Sequence, residues 1–315
     1  MIKGLYGIMY YSKSNHSGFL YKVIKKIIIC FIETFYPIFS RFFSYEKDNY
    51  TKNFTDEDII ISLTTYSKRI EGVHLTIRTL LKQTHRYNKI ILWLSQDEYS
   101  NLEQLPYKLR DLLKYGLEIR FCEDLKSHKK YYYSMLEYPQ SIIITVDDDT
   151  YYPENLVEDL IKSYLYDKKS ISFLRGHLIK LDSIGDIAPY SHWDKDYMGD
   201  IKKSILFCPT GCQGVLYPPN TLDREIFNRK AFMKECPNAD DLWLKIMAIK
   251  QKRSALMARK TVIPFASVKG SQKNALYKNN TDKNQNDVQL KNLLDAYPEI
   301  KEILNNSIIY EKEIN

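Results

Sequence analysis

The chain has 315 residues, 44% of them hydrophobic and 27% charged, with 46 Lys and Arg against 39 Asp and Glu for a formal charge of +7. This composition excludes disorder, collagen and a bare coiled coil, and so mild a charge, with no basic stripe bearing a recognised motif, argues against a nucleic-acid partner. The cysteines Cys30, Cys122, Cys208, Cys212 and Cys236 are odd in number and irregular in spacing, which fits a reducing compartment better than a secreted disulfide framework. Cys208 and Cys212 lack the second pair a zinc finger needs and read as small buried side chains.

Residues 1–50 hold seven basic and three acidic side chains, so +4 of the total +7 lies in this head. Within it, Phe19 to Phe43 is apolar and aromatic but interrupted by Lys25, Lys26, Glu33 and Pro37. Its charge-free run from Ile27 to Ile32 is far short of a bilayer span, and no small-x-small cleavage site follows it. Two readings stand for this basic amphipathic helical segment. It is a helix lying on an anionic leaflet through residues 19–43, or one packed on the protein's own core.

From Asp56 the pattern alternates between strand-length apolar runs and helical stretches. Asp58 to Thr64 reads as a strand, Ile70 to Gln83 as a helix, Lys89 to Ser95 as a second strand, and Leu105 to Tyr115 as a helix closed by Gly116. Leu117 to Cys122 and Ser141 to Val146 are the third and fourth strands; the fourth is apolar on both faces, as for a central parallel strand. Pro153 opens a helix running to Tyr166. This order predicts an α/β fold, a mixed and mainly parallel Rossmann-like sheet flanked by helices, with ligands outside the carboxyl ends of the strands.

Those strand ends carry the chemistry. No Gly-rich loop follows the first strand, which excludes P-loop and dinucleotide modes of phosphate binding. The fourth strand ends in Asp147-Asp148-Asp149-Thr150. On an extended backbone Asp147 and Asp149 would face one way and Asp148 the other, and a converging pair of carboxylates suits a hard cation bridging to phosphate. The alternatives are a solvated turn capping the next helix, or a phosphohydrolase of the haloacid dehalogenase type, whose motif places Thr where this chain has Tyr151. Farther on, Pro237 to Ile249 forms an apolar helix with Asn238 as its expected N-cap and Asp240 and Asp241 in its first turn. Those carboxylates either serve the helix end or hold a general base in place. Between the two acidic stretches, Gly211 and Gly214 would let backbone approach a ligand, or simply turn the chain into a strand.

Taken together, Ile61-Ser-Leu-Thr-Thr-Tyr-Ser-Lys-Arg-Ile70, Ile90-Ile-Leu-Trp-Leu-Ser95, Asp147-Asp148-Asp149, Thr210-Gly-Cys-Gln-Gly-Val-Leu-Tyr-Pro-Pro219 and Ala239-Asp-Asp-Leu-Trp243 resemble a GT-A glycosyltransferase of the bacterial family 2 kind, in the branch associated with surface polysaccharides. The resemblance runs from about Asp56 to about Pro264. It implies a nucleotide-diphospho-sugar donor, Mn2+ or Mg2+, and a glycan or lipid-linked hydroxyl acceptor. By position it puts Thr64, Tyr66, Arg69, Asp124, Lys129, Asp147 and Asp148 at the nucleotide, Asp147 and Asp149 at the metal, and Asp241 or Asp240 as the base, with Asp240 standing where the family more often has Glu. It further implies inversion at the sugar and a peripheral site on the inner face of the cytoplasmic membrane. Residues 1–50 are then a membrane-facing head, 51–268 the catalytic domain, and 269–315 a polar flap, with Lys269, Lys273 and Lys278, followed by a helix. A catalytically silent glycan-binding or membrane adaptor protein is the remaining alternative.

Overall fold

A computed structural model of the protein describes residues 1–16, 18–43, 45, 50–200, 202–274 and 284–314. Among the described residues ten strands form two sheets: β1 (Ile59–Thr64), β2 (Lys89–Ser95), β3 (Leu117–Cys122), β4 (Ile142–Thr145), β5 (Ile171–Phe173), β6 (Gly176–Leu178), β7 (Lys203–Ser204), β8 (Phe207–Pro209), β9 (Val215–Tyr217) and β10 (Ala255–Met257). The main sheet has the order β3-β2-β1-β4-β9-β5-β10-β7, while β6 and β8 pair apart from it. Ile61 lies opposite Ile90 and Ile144 in parallel register, so β1 carries fully buried apolar side chains toward both layers.

The fourth strand departs from expectation, because only one of its neighbours, β1, is parallel. On its other side β9 runs antiparallel, with Thr145 opposite Val215. That reversal matters for the site, since it brings the end of β4 beside the turn that opens β9.

Helices cover both faces. One layer holds α1 (Ile2–Asn15), α2 (Gly18–Phe39), α3 (Ile70–Leu80), the short α4 (Tyr107–Arg110) and α6 (Leu156–Tyr166). Their buried residues join Ile59, Ile61, Leu63, Ile142 and Ile144 in one core. The opposite layer holds α5 (Lys129–Glu137), α7 (Arg229–Glu235), α8 (Asp240–Lys250), α9 (Gln285–Ala296) and α10 (Glu299–Ile314). Tyr131, Phe232, Trp243 and Leu293 are central to that side.

Two expected helices are shorter than their patterns. The stretch to Tyr115 winds as a 3-10 turn after Arg110 and stops at Gly116, whose φ of 99° suits a residue without Cβ. Helix α6 begins at Leu156 rather than at Pro153, whose carbonyl is engaged by the Gln83 side chain. The head packs as the core reading foresaw: Ile2, Tyr6 and Met9 of α1 and Ile28, Ile32 and Tyr36 of α2 are buried. The Tyr6 hydroxyl donates to the Tyr151 carbonyl at 2.9 Å and accepts from the Ala266 amide at 2.8 Å, riveting α1 to the chain just beyond the acidic turn. No helix among the described residues is long and apolar enough to cross a membrane. The central part of the expected flap, with Lys278, lies outside the described residues.

Candidate active site

Strand β4 ends at Thr145, and the chain turns at Asp148 and Asp149. The turn cancels the strand alternation expected for the three aspartates. Asp148 and Asp149 share one cation, Arg69, whose Nη1 lies 2.7 Å from Asp148 and Nη2 3.2 Å from Asp149, while Asp147 turns the other way to Lys130. Asp148 is wholly engaged inside the turn, accepting also from Thr65 and, through its carbonyl, from Thr76 at 2.9 Å. Asp149 accepts from Gln272 at 3.0 Å, and its carbonyl takes the Val268 amide at 2.7 Å, so residues 267–272 lie against it. Burial pushes the Asp149 carboxyl up to about 6 despite Arg69, with Asp148 and Asp147 adding to the rise.

The second acidic stretch arrives from the opposite layer. Asn238 does not cap α8: its amide donates to Gln289, and the helix starts at Asp240 without a side-chain cap. Freed from that duty, both aspartates point to other elements. The Lys130 ammonium lies 2.9 Å from Asp147 and 2.9 Å from Asp240, and the Gly211 amide donates to Asp241 at 3.1 Å. Two segments about a hundred residues apart in sequence therefore meet on one lysine at the first turn of α5. A Cβ on Gly211 would sit 2.9 Å from the Lys130 Nζ, 3.3 Å from Asp147 and 3.4 Å from Asp241, which explains a glycine there.

The electrostatics separate the two aspartates. Burial opposes charge on Asp240, but the Lys130 ammonium outweighs it and holds this carboxyl below its ordinary value. Asp241 is pushed up to about 7, by burial first and by the Asp240 charge second. Burial also works against the Lys130 ammonium, yet Asp147, Asp240 and Asp241 together raise it well above normal, so it stays charged. One carboxylate is locked ionised, and its neighbour is poised to exchange a proton near neutrality.

Neighbouring groups hold this arrangement. The Tyr152 hydroxyl accepts from the Asp147 amide at 2.9 Å and donates to the Cys212 carbonyl at 3.2 Å, tying the acidic turn to the Gly211 loop. Arg175, after β5, donates to the Cys212 sulfur at 2.7 Å and to Asp196 at 2.7 Å. Cys212 is only partly buried, so of the two cysteines expected to be small buried side chains only Cys208 is one. His128 is neutral and fully buried, stacked on Phe232 at 4.4 Å and bonded to the Cys236 carbonyl at 2.8 Å, fixing α5 to the approach to α8.

Of the residues expected at the nucleotide, Arg69, Asp147 and Asp148 belong to this cluster, with Asp148 on Arg69. Thr64 donates to the Trp93 carbonyl at 2.8 Å, Tyr66 lies 5.8 Å beneath the Arg69 guanidinium, and Asp124 pairs with Lys129. Sequence reasoning passed over Lys130, Thr65, Tyr152, Arg175 and Gln272. Lys130 was within reach of it, since a lysine one position beyond Lys129 points elsewhere on a helix by about 100°.

Among the described residues no three His, Cys, Asp or Glu side chains gather closely enough to make a metal site alone. Asp147 and Asp149, the pair expected at a metal, are engaged by different cations, Lys130 and Arg69, and do not turn toward one shared point as strand alternation predicted. Asp147 is the more accessible, its side chain 32% exposed against 11% for Asp149.

No family model matches the chain, and no curated protein matches it in sequence. Among solved structures, CMP:2-keto-3-deoxy-manno-octonic acid synthetase complexed with CTP aligns over 65% of this chain and 88% of its own, at 11% identity and a TM-score of 0.38. Mannosyltransferase PcManGT from Pyrobaculum calidifontis, in complex with GDP-Man and Mn2+, aligns over 47% of this chain and 45% of its own, at 10% identity and a TM-score of 0.29. At these values neither likeness bears on what this chain does.

Proposed function

We propose that the protein is a GT-A glycosyltransferase that moves a sugar from a nucleotide-diphospho-sugar to a hydroxyl of a glycan or lipid-linked acceptor, on the cytoplasmic side of the membrane. The observation that carries this reading is the junction at Lys130, where the Asp147 corner and the Asp240-Asp241 turn meet beside the Gly211 backbone. Carboxylates facing the diphosphate and a separate carboxylate for the acceptor are what such a transfer requires.

In this reading Asp147 and Asp149 would hold the divalent cation, which would supply positive charge to the departing diphosphate. Arg69 keeps Asp149 in place and adds a second positive group at the same corner. Asp241 removes the proton from the acceptor hydroxyl, a task suited to a carboxylate whose affinity for protons lies near neutrality. Asp240 stays ionised on Lys130 and sets the charge against which Asp241 titrates. A single base with direct displacement inverts the sugar carbon.

Turnover and nucleotide-sugar binding, measured with and without Mn2+ across a panel of donors, test the assignment. Asp149→Ala should lose both, whereas Asp241→Asn should retain binding and lower turnover by about a hundredfold or more. Full turnover in Asp241→Asn would remove it as the base, and metal-independent binding in the parent would remove the cation.

A further inference from the structure

Helix α2 has three sectors rather than two. Ile28, Ile32 and Tyr36 face the core. Next around the helix come the exposed Lys22 and Lys26. The third sector, Val23, Ile27, Phe31, Phe35 and Ile38, recurs every three or four residues, yet it is outward, with Ile27 63%, Phe35 40% and Ile38 50% exposed. The stripe is about 22 Å long at the α-helical rise. The rings of Phe31 and Phe35 lie tilted against one another at 4.8 Å, and Phe42, 82% exposed, extends the surface past the helix end.

An aqueous surface does not account for so continuous a row of large apolar side chains. The charge around it selects the occupant. Residues 1–43 contain six basic side chains, Lys3, Lys13, Lys22, Lys25, Lys26 and Arg41, against the single carboxylate Glu33. Glu33 is itself half-buried and turned toward the Ser267 backbone and Lys269. Apolar side chains with flanking lysines that can extend toward headgroups match an anionic lipid surface. A second copy of the chain would bring the same basic residues against one another.

We infer that the outward face of α2 is a membrane-docking surface, seating Val23, Ile27, Phe31, Phe35 and Ile38 in the headgroup boundary of an anionic leaflet while the opposite face stays in the protein core. The docking helix lies beside the chemistry, because Glu33 contacts Ser267 and the next residue, Val268, binds the Asp149 carbonyl. The inference stands apart from the transferase reading, since none of these side chains touches the acidic cluster.

Sedimentation of the full chain with phosphatidylcholine vesicles, with and without phosphatidylglycerol, is the test. The parent should sediment with the anionic vesicles, less so at high salt, and weakly with phosphatidylcholine alone. Combining Ile27→Gln, Phe31→Gln and Phe35→Gln should lower the partition coefficient about tenfold or more while leaving the melting temperature near that of the parent. Leu136→Gln with Tyr166→Gln, which alters exposed apolar residues elsewhere, should change nothing. Phe31→Trp should keep binding and show a blue-shifted emission on anionic vesicles. Failure of the parent to sediment, or unchanged binding in the triple variant, overturns the inference. So does a solution dimer that ignores vesicles and that the triple variant converts to monomer.

Discussion

Asp241 combines a buried site, a single backbone donor and a charged neighbour, and its raised affinity for protons has a consequence for stability. An unfolded aspartate ionises near pH 4, whereas the folded Asp241 holds its proton to about 7, so folding gains from that proton at low pH and loses the gain as pH rises through about 7. Asp241→Asn keeps an oxygen for the Gly211 amide and removes the charge. It should melt higher than the parent, with a gap wider at about pH 8 than at about pH 5, read by thermal unfolding at each pH. An equal gap at both would mean that Asp241 ionises normally. At this scale the sequence was only partly legible. The two acidic stretches stood out because runs of Asp at a buried strand's end and in a helix's first turn have few uses. The basic partners did not, because Arg175 and Lys130 sit in no motif and their pairing is set by helix phase and by the β4–β9 reversal. The turn at Asp148 and Asp149 also escaped the strand pattern, since strand alternation holds only while the backbone stays extended.

Among elements, the informative junction is α1 against the chain around Tyr151. The Tyr6 hydroxyl is the partner of both a buried carbonyl and a buried amide, and it has no route to water. Tyr6→Phe should therefore cost about 2 kcal/mol, measured by urea unfolding, because both backbone groups are left unpaired. A loss below about 0.5 kcal/mol would mean that they find other partners. Strands β1, β2 and β3 follow their patterns almost to the residue, because the apolar runs of β1 and β2 and the apolar-polar alternation of β3 admit little else. The helix expected through residues 105–115 is α-helical only over Tyr107–Arg110, since periodicity marks which residues are buried without distinguishing an α turn from a 3-10 turn. For α2 the core reading is met by Ile28, Ile32 and Tyr36, while the apolar residues on its other side face outward.

Across the whole molecule, the head is structural as well as outward-facing. Six large side chains of α1 and α2 are buried in the core shared with the main sheet, and at about 2 kcal/mol each they represent roughly 12 kcal/mol of apolar burial, comparable with the entire stability of a domain. Deletion of residues 1–43 should accordingly give an insoluble or non-cooperatively unfolding product, checked by soluble yield and calorimetry. A soluble fragment melting with the parent would show the head to be an appendage. The stretch from Asp147 through Tyr152 to Cys212 and Gly211 carries a different implication. One phenol and three consecutive peptide units connect Asp147 to the Asp241 carboxyl. In the proposed transferase, occupancy on one side would be felt mechanically on the other, so donor and acceptor should not bind as independent guests, and their order of arrival would be a property of the loop itself.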